Sequence, residues 1–236
     1  MRNRFDRRLS EISDELVVMG AQCEDAVSYS MRAFFDRDLD MASKALETEK
    51  KIDQKEKDIE TLCMRILLQE QPVASDLRKV SSALKMISDM ERIGDQAEDI
   101  SEIVFHMEDS KEKLDDIDIG PMEDMWKASL TMVTESVNAF VEGDIELAKK
   151  VIKADDEVDD FFKQIRKQLI AQLAVSREDE VIGSADEKGM GEVCFDIFMI
   201  AKYLERVGDH ATNIAEWVIY GLTGKHPDPT VALDDE

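Results

Sequence analysis

Glu91-Arg-Ile-Gly-Asp95 and Glu205-Arg-Val-Gly-Asp209 are one acidic pentapeptide written twice, and the sequence around each copy repeats as well. Residues four apart share a helix face, so each copy sets two carboxylates side by side. Like charges so placed repel unless a cation or a basic group joins them. With an offset of 106, Ala33, Phe34, Asp38, Ala42, Lys44 and Asp53 match Ala139, Phe140, Asp144, Ala148, Lys150 and Asp159, and Glu49 falls over Asp155. Past the next connection the offset becomes 114, and Ala97, Ile100, Glu102 and Val104 match Ala211, Ile214, Glu216 and Val218. A second acidic pair thus appears in each half, Glu49 with Asp53 and Asp155 with Asp159.

Only 4 prolines and 10 glycines interrupt the 236 residues, and apolar positions such as Leu77, Val80, Leu84 and Ile87 recur at helical spacing. No useful stretch alternates with period two, which argues against strands. The spacing predicts helices over about 7 to 35, 38 to 69, 75 to 108, 121 to 142, 144 to 175 and 188 to 222. Asp109 to Gly120, closing on Gly-Pro, reads as the link between halves. Short turns make sequential helices antiparallel. The expected fold is therefore all-α, two tandem three-helix bundles related by internal duplication. The first bundle covers residues 1–112, the second 113–224, and 225–236 form a disordered acidic tail.

Antiparallel pairing gives the acidic pairs a common level. If the second and third helices fold back about Pro72, Glu49 meets Asp95 and Asp53 meets Glu91, each pair equidistant from that proline. The matching connection, centred on residue 182, pairs Asp155 with Asp209 and Asp159 with Glu205. Each bundle should bring four carboxylates together roughly 30 Å from its turn, at about 1.5 Å per residue. Continuing the stripe 77, 80, 84, 87 leads to Glu91, then to Gly94 or Asp95, then to Glu98. A charge on a core-facing stripe is costly unless paired or metal-bound. Gly94 and Gly208 stand mid-helix, where glycine costs about 1 kcal/mol relative to alanine, which suggests close approach of a neighbouring helix or ligand. Asp99, one turn past Asp95, and Asn213 at the matching position offer further oxygen ligands.

A single E-xxx-D pair in a chain with 54 acidic residues is more often a solvated face than a site. Four pairs, repeated and level-matched, point to metal. Arg92 and Arg206 offer purely structural ion pairs to some of these carboxylates, although their place next to the Glu aims them about 100° around the helix from it, and His210 reads as a polar flank. All-carboxylate sites favour hard cations such as magnesium or manganese, with iron also suited.

The formal net charge of -24 argues against nucleic acid, which is bound mainly through Lys and Arg, and favours cations and basic protein surfaces. Early charged residues and the lack of any membrane-length apolar run lead us to expect neither signal peptide nor membrane insertion. Cys23, Cys63 and Cys194 are odd in number and form no CxxC pair, as expected in a reducing cytoplasm.

Gln71-Pro-Val-Ala-Ser-Asp-Leu-Arg78, Met90-Glu-Arg-Ile-Gly-Asp95 and Leu204-Glu-Arg-Val-Gly-Asp209 together resemble the PhoU family of phosphate-uptake regulators, from about Phe5 to Thr223. The resemblance implies that the family's E(D)-xxx-D metal motifs fall on Glu49 and Asp53, Glu91 and Asp95, Asp155 and Asp159, and Glu205 and Asp209. It implies iron or zinc clusters in some members, and a cytoplasmic repressor that links the ATPase subunit of a phosphate ABC transporter to a phosphate-sensing histidine kinase. A homodimer is the expected assembly. Two departures stand out: Asn213 replaces the acid seen at Asp99, and Val175 to Gly191 stands where the first half has Gln-Pro-Val-Ala-Ser-Asp.

Two other classes compete with a metal-binding regulator. A di-iron carboxylate enzyme would use Glu-x-x-His pairs, and Ile103, Val207 and Thr223 stand three residues before the three histidines instead. No GxxxxGK[ST] loop or His-paired nucleophile is evident, so no enzymatic activity is expected. A metal-free helical adaptor remains if the carboxylates are merely solvated.

Overall fold

Two aspartates matched by the repeat start the second helix of each half. Asp38 Oδ1 accepts the backbone N–H of Asp40 at 2.9 Å, and Asp144 Oδ1 accepts those of Glu146 and Leu147 at 2.9 and 3.0 Å. Each satisfies donors that a helix start leaves orphaned. The residue before each is left-handed: Gly143 at φ 68 in one turn and Arg37 at φ 57 in the other. Only glycine adopts that conformation without a Cβ penalty, so the first half spends more strain on the same turn.

The computed structural model describes residues 2–70, 72, 74–110, 117–176 and 189–227. Its helices are α1 (Arg2–Asp36), α2 (Leu39–Glu70), α3 (Ala74–His106), α4 (Gly120–Glu142), α5 (Ile145–Ser176) and α6 (Met190–Thr223), with a 3-10 turn at Met107–Ser110. The expected boundaries agree to within a few residues, apart from the start of α1. No strand occurs among the described residues. Part of the expected link, most of the connection before α6, and the acidic tail beyond residue 227 lie outside the described residues.

α1, α2 and α3 pack on one another, as do α4, α5 and α6. The first bundle buries Ile12, Leu16 and Met19 against Ile52, Ile59 and Ile66 and against Ile87, Met90 and Ile93. The second uses Met125, Met132, Val158, Ile165, Ile200 and Leu204 in the same way. Each such side chain contributes roughly 1.5–3 kcal/mol on burial. The two cores form one continuous cluster, because α3 lies antiparallel along α6 and α1 touches α4. Arg78 meets Gly224, Ser82 meets Gly221, Lys85 lies over Trp217, Asp89 bonds His210, and His106 meets Asp196. At the edge of the α1–α4 contact, Phe35 packs on Trp126 with ring centroids 5.8 Å apart.

Candidate metal centre

Antiparallel pairing of α2 with α3 brings the first bundle's acids to one level. Ser88 donates to Glu56 at 3.4 Å, and these two residues are equidistant from Pro72. The same register sets Glu49 beside Asp95. Carboxylate oxygens of Glu49, Asp95 and Glu98 all lie within 4.8 Å of one another. Gly94 makes this possible: a Cβ there would stand 3.2 Å from Ile52 Cδ1, so its absence lets α2 approach α3.

Burial and crowding show in the protonation of these acids. Glu49 is only 8 % exposed, and burial, then Glu98, Asp53 and Asp95, pushes its carboxyl up to about 7. Burial is also the main cause of the upward shifts of Glu91, where Asp95 adds and Arg92 opposes, and of Glu98, where Glu102 and Asp95 add. Asp53 joins the field on both Glu49 and Glu91. Asp99 lies outside the three-carboxylate group; burial and Glu102 raise its carboxyl while Arg206, from the other bundle, opposes them.

Three expectations change in detail. The core stripe of α3 runs through Val80, Ala83, Ile87, Met90, Ile93 and Ala97, while Leu77 is exposed and Glu91 and Asp95 are half-buried. At 3.6 residues per turn the stripe drifts, so the acids flank the core instead of filling it. Arg92 does neutralise its neighbours: its guanidinium lies 3.5 Å from Glu91 and 3.1 Å from Asp95. A long flexible stem reaches back around the 100° that separates adjacent residues. Glu98 belongs to the three-carboxylate group although its repeat partner is Thr212, so matching the halves passed it over. The signal was the stripe itself, which reaches residue 98.

The second bundle holds its acids differently. Burial, then Asp209, Asp159 and Asp156, raises the Asp155 carboxyl to about 6. A Cβ at Gly208 would stand 3.4 Å from Asp155 Oδ1, so this glycine too faces the neighbouring helix. Asp159 lies 3.7 Å from Lys163, and Glu205 is bonded by Lys202. Asn213 donates its amide to Asp89 Oδ1 at 3.0 Å, and the same oxygen lies 3.0 Å from His210 Nδ1. Among the described residues, only Glu49, Asp95 and Glu98 group three acids closely enough to share one ion. Three oxygen donors from two rigid helices fit a hard cation such as manganese, magnesium or iron.

A six-helix chain built of two repeats, with acids at the interface of the second and third helices, is a tandem helical-bundle protein. The chain belongs to the PhoU family: the PhoU domain model matches residues 16–104 and again 122–218. It is 33% identical over 228 residues to a phosphate-specific transport system accessory protein PhoU homolog of Clostridium acetobutylicum, covering 96% of this chain and 98% of that one. Identity to phosphate-specific transport system accessory protein PhoU of Escherichia coli is 28%, over 94% of this chain and 86% of the relative. The crystal structure of PhoU from Pseudomonas aeruginosa superposes with a TM-score of 0.80 at 29% identity, covering 94% of this chain and all (100%) of that one. The phosphate transport system regulatory protein PhoU from Streptococcus pneumoniae gives 0.80 at 25%, covering 95% and 99%. No helix among the described residues is long and apolar enough to cross a membrane.

Proposed function

We propose that the chain is a metal-binding regulator of phosphate uptake. In this reading it restrains a phosphate ABC transporter when phosphate is plentiful and holds the phosphate-starvation response off. The observation that carries the metal reading is the grouping of Glu49, Asp95 and Glu98 carboxylates within 4.8 Å of one another on two packed helices. The regulatory reading is supported by full-length similarity to phosphate transport accessory proteins. Its output is contact, in the cytoplasm and as a homodimer, with the transporter's ATPase subunit and a phosphate-sensing histidine kinase. Catalysis has no place in it. The net charge of -24 speeds encounter with basic partner patches and makes association salt-sensitive, since exposed charges are screened beyond about 8 Å at physiological ionic strength.

A metal-free adaptor is favoured by one observation, the contacts of Arg92 with Glu91 and Asp95. The two readings part in a single experiment. The chain is deleted in its host, and phosphate uptake and starvation-gene expression are measured in phosphate-rich medium after return of wild type or of the Glu49→Ala/Asp95→Ala variant. Excess uptake and constitutive expression, restored by wild type alone, support the metal-binding regulator. Full rescue by the variant, with its lost metal confirmed by elemental analysis, supports the adaptor. Normal uptake and expression after deletion, with no related copy in the genome, would sink both.

A further inference from the structure

Lys202 has no counterpart in the first bundle. The offset that sets Glu91 over Glu205 sets Ser88 over Lys202, and Ser88 only donates weakly, at 3.4 Å, to Glu56. Lys202 lies one turn before Glu205 on α6 and bonds its carboxylate. Its ammonium also stands 5.5 Å from the centroid of the Phe162 ring on α5, the helix that carries Asp155 and Asp159. A lysine–glutamate pair on an open helix face is worth little. This one differs on the acid's side: the Glu205 side chain is 14% exposed, while Lys202 is 41% exposed with its ammonium held over an aromatic face at the seam between helices.

We propose that Lys202 is a tethered cation that takes the place of an external one in the second bundle, leaving the first bundle as the high-affinity metal site. The inference rests on the metal-binding reading and sharpens it. In the first bundle three acids crowd together; Arg92, 57% exposed, pairs with Glu91 and Asp95 from the rim, and Lys50 opposes the upward shifts of Glu49 and Glu98 without bonding either. In the second, Lys202 holds Glu205, Lys163 lies beside Asp159, and Thr212 replaces the third acid, Glu98. A dication that engages Glu205 must break its bond with Lys202 and then sit beside the displaced ammonium. Altering such a supporting contact typically changes metal affinity by about 10- to 100-fold.

Manganese(II) titration of chelator-stripped, full-length protein tests this, with the free ion followed by electron paramagnetic resonance. Wild type is expected to show a tight class of sites that Glu49→Ala abolishes, and a second class at least about ten-fold weaker. Lys202→Met keeps the contact with Phe162 and should tighten the weak class by on the order of ten-fold without moving the tight one. Lys202→Gln serves as the second variant if Met alters the melting curve. Equal classes in wild type, a tight class that survives Glu49→Ala, or an unmoved weak class in both Lys202 variants would overturn the proposal while leaving metal binding intact. No manganese bound by wild type at all overturns the metal reading, and this one with it.

Discussion

The first and second bundles share a scaffold and differ in what they do with charge. The lengths of the second and third helices, the aspartate caps, the glycine facing the neighbouring helix and the level of the acidic pairs are common to both, whereas α1 has 35 residues and α4 has 23. Ser88, Glu98 and Asp99 of the first bundle become Lys202, Thr212 and Asn213 of the second. The shared features are those that packing requires: an apolar stripe, a residue without Cβ where helices approach, and donors satisfied at helix starts. The altered positions flank the core, where a side chain changes without disturbing the stripe. Scaffold and site are thus separable in this molecule, and comparing the halves shows which residues belong to which.

The largest expected effect tests the scaffold. Ile93 and Val207 occupy matched, fully buried positions. Ile93→Ala should cost about 2–5 kcal/mol, and Val207→Ala less, because fewer methyl groups leave the core. Urea denaturation measures both. Since the bundles share one core, each variant should lower a single common transition. Two separate transitions would show that the halves fold independently and break the picture of one cooperative unit.

A smaller effect tests the sites through pH. In metal-free protein, Glu49 titrates near 7 instead of near 4.5, and Asp155 near 6 instead of near 3.8. A raised carboxyl binds its proton more tightly in the folded state. Stability therefore falls as pH rises from the unfolded value to the folded one and is flat above it. Glu49 should cost stability progressively between about pH 4.5 and 7, and Asp155 between about 3.8 and 6. At pH 8 in chelator, Glu49→Gln should melt higher than wild type and Asp155→Asn should do so by less, each flattening its own window. With manganese present, Glu49→Gln should reverse sign and melt lower. A Glu49→Gln variant that melts lower even in chelator would mean that its carboxylate is not repelled by its neighbours.

Most of the fold was legible because long apolar periodicity and sparse breaks leave few alternatives, and because the repeat allowed each half to check the other. The register of α2 on α3 was legible too, since a short turn at Pro72 fixes which residues share a level. What escaped depends on side-chain reach and on contact between the halves. Helix spacing allows Arg92 to meet Asp95 three residues on, but it does not say that the same guanidinium also reaches the adjacent Glu91. Nothing local says that Asp89 of one bundle bonds His210 and Asn213 of the other, because that pairing arises only when α3 and α6 lie antiparallel. Glu98 has no acidic counterpart, since Thr212 stands at the matching position, so the repeat that marks the other acids does not mark it.

The smallest expected effect lies in the paired glycines, and there the halves should answer with opposite signs. Replacing a mid-helix glycine by alanine gains about 1 kcal/mol of helix propensity. At Gly94 the new methyl would meet Ile52 Cδ1 at 3.2 Å and Cγ2 at 3.3 Å. Isoleucine is β-branched and stiff, so it yields only by moving its helix, and overpacking of this kind costs about 1–3 kcal/mol. Gly94→Ala should thus be destabilising by about 1 kcal/mol net. At Gly208 the methyl would meet Asp155 Oδ1 and Val158 Cγ1 at 3.4 Å, an ordinary contact. Gly208→Ala should keep part of the helical gain and stabilise by up to about 1 kcal/mol. Urea midpoints of the two variants against wild type, in chelator, measure the contrast. If both shift upward, α2 is not pressed against α3 at Gly94, and the close approach that brings Glu49 to Asp95 would have to be abandoned.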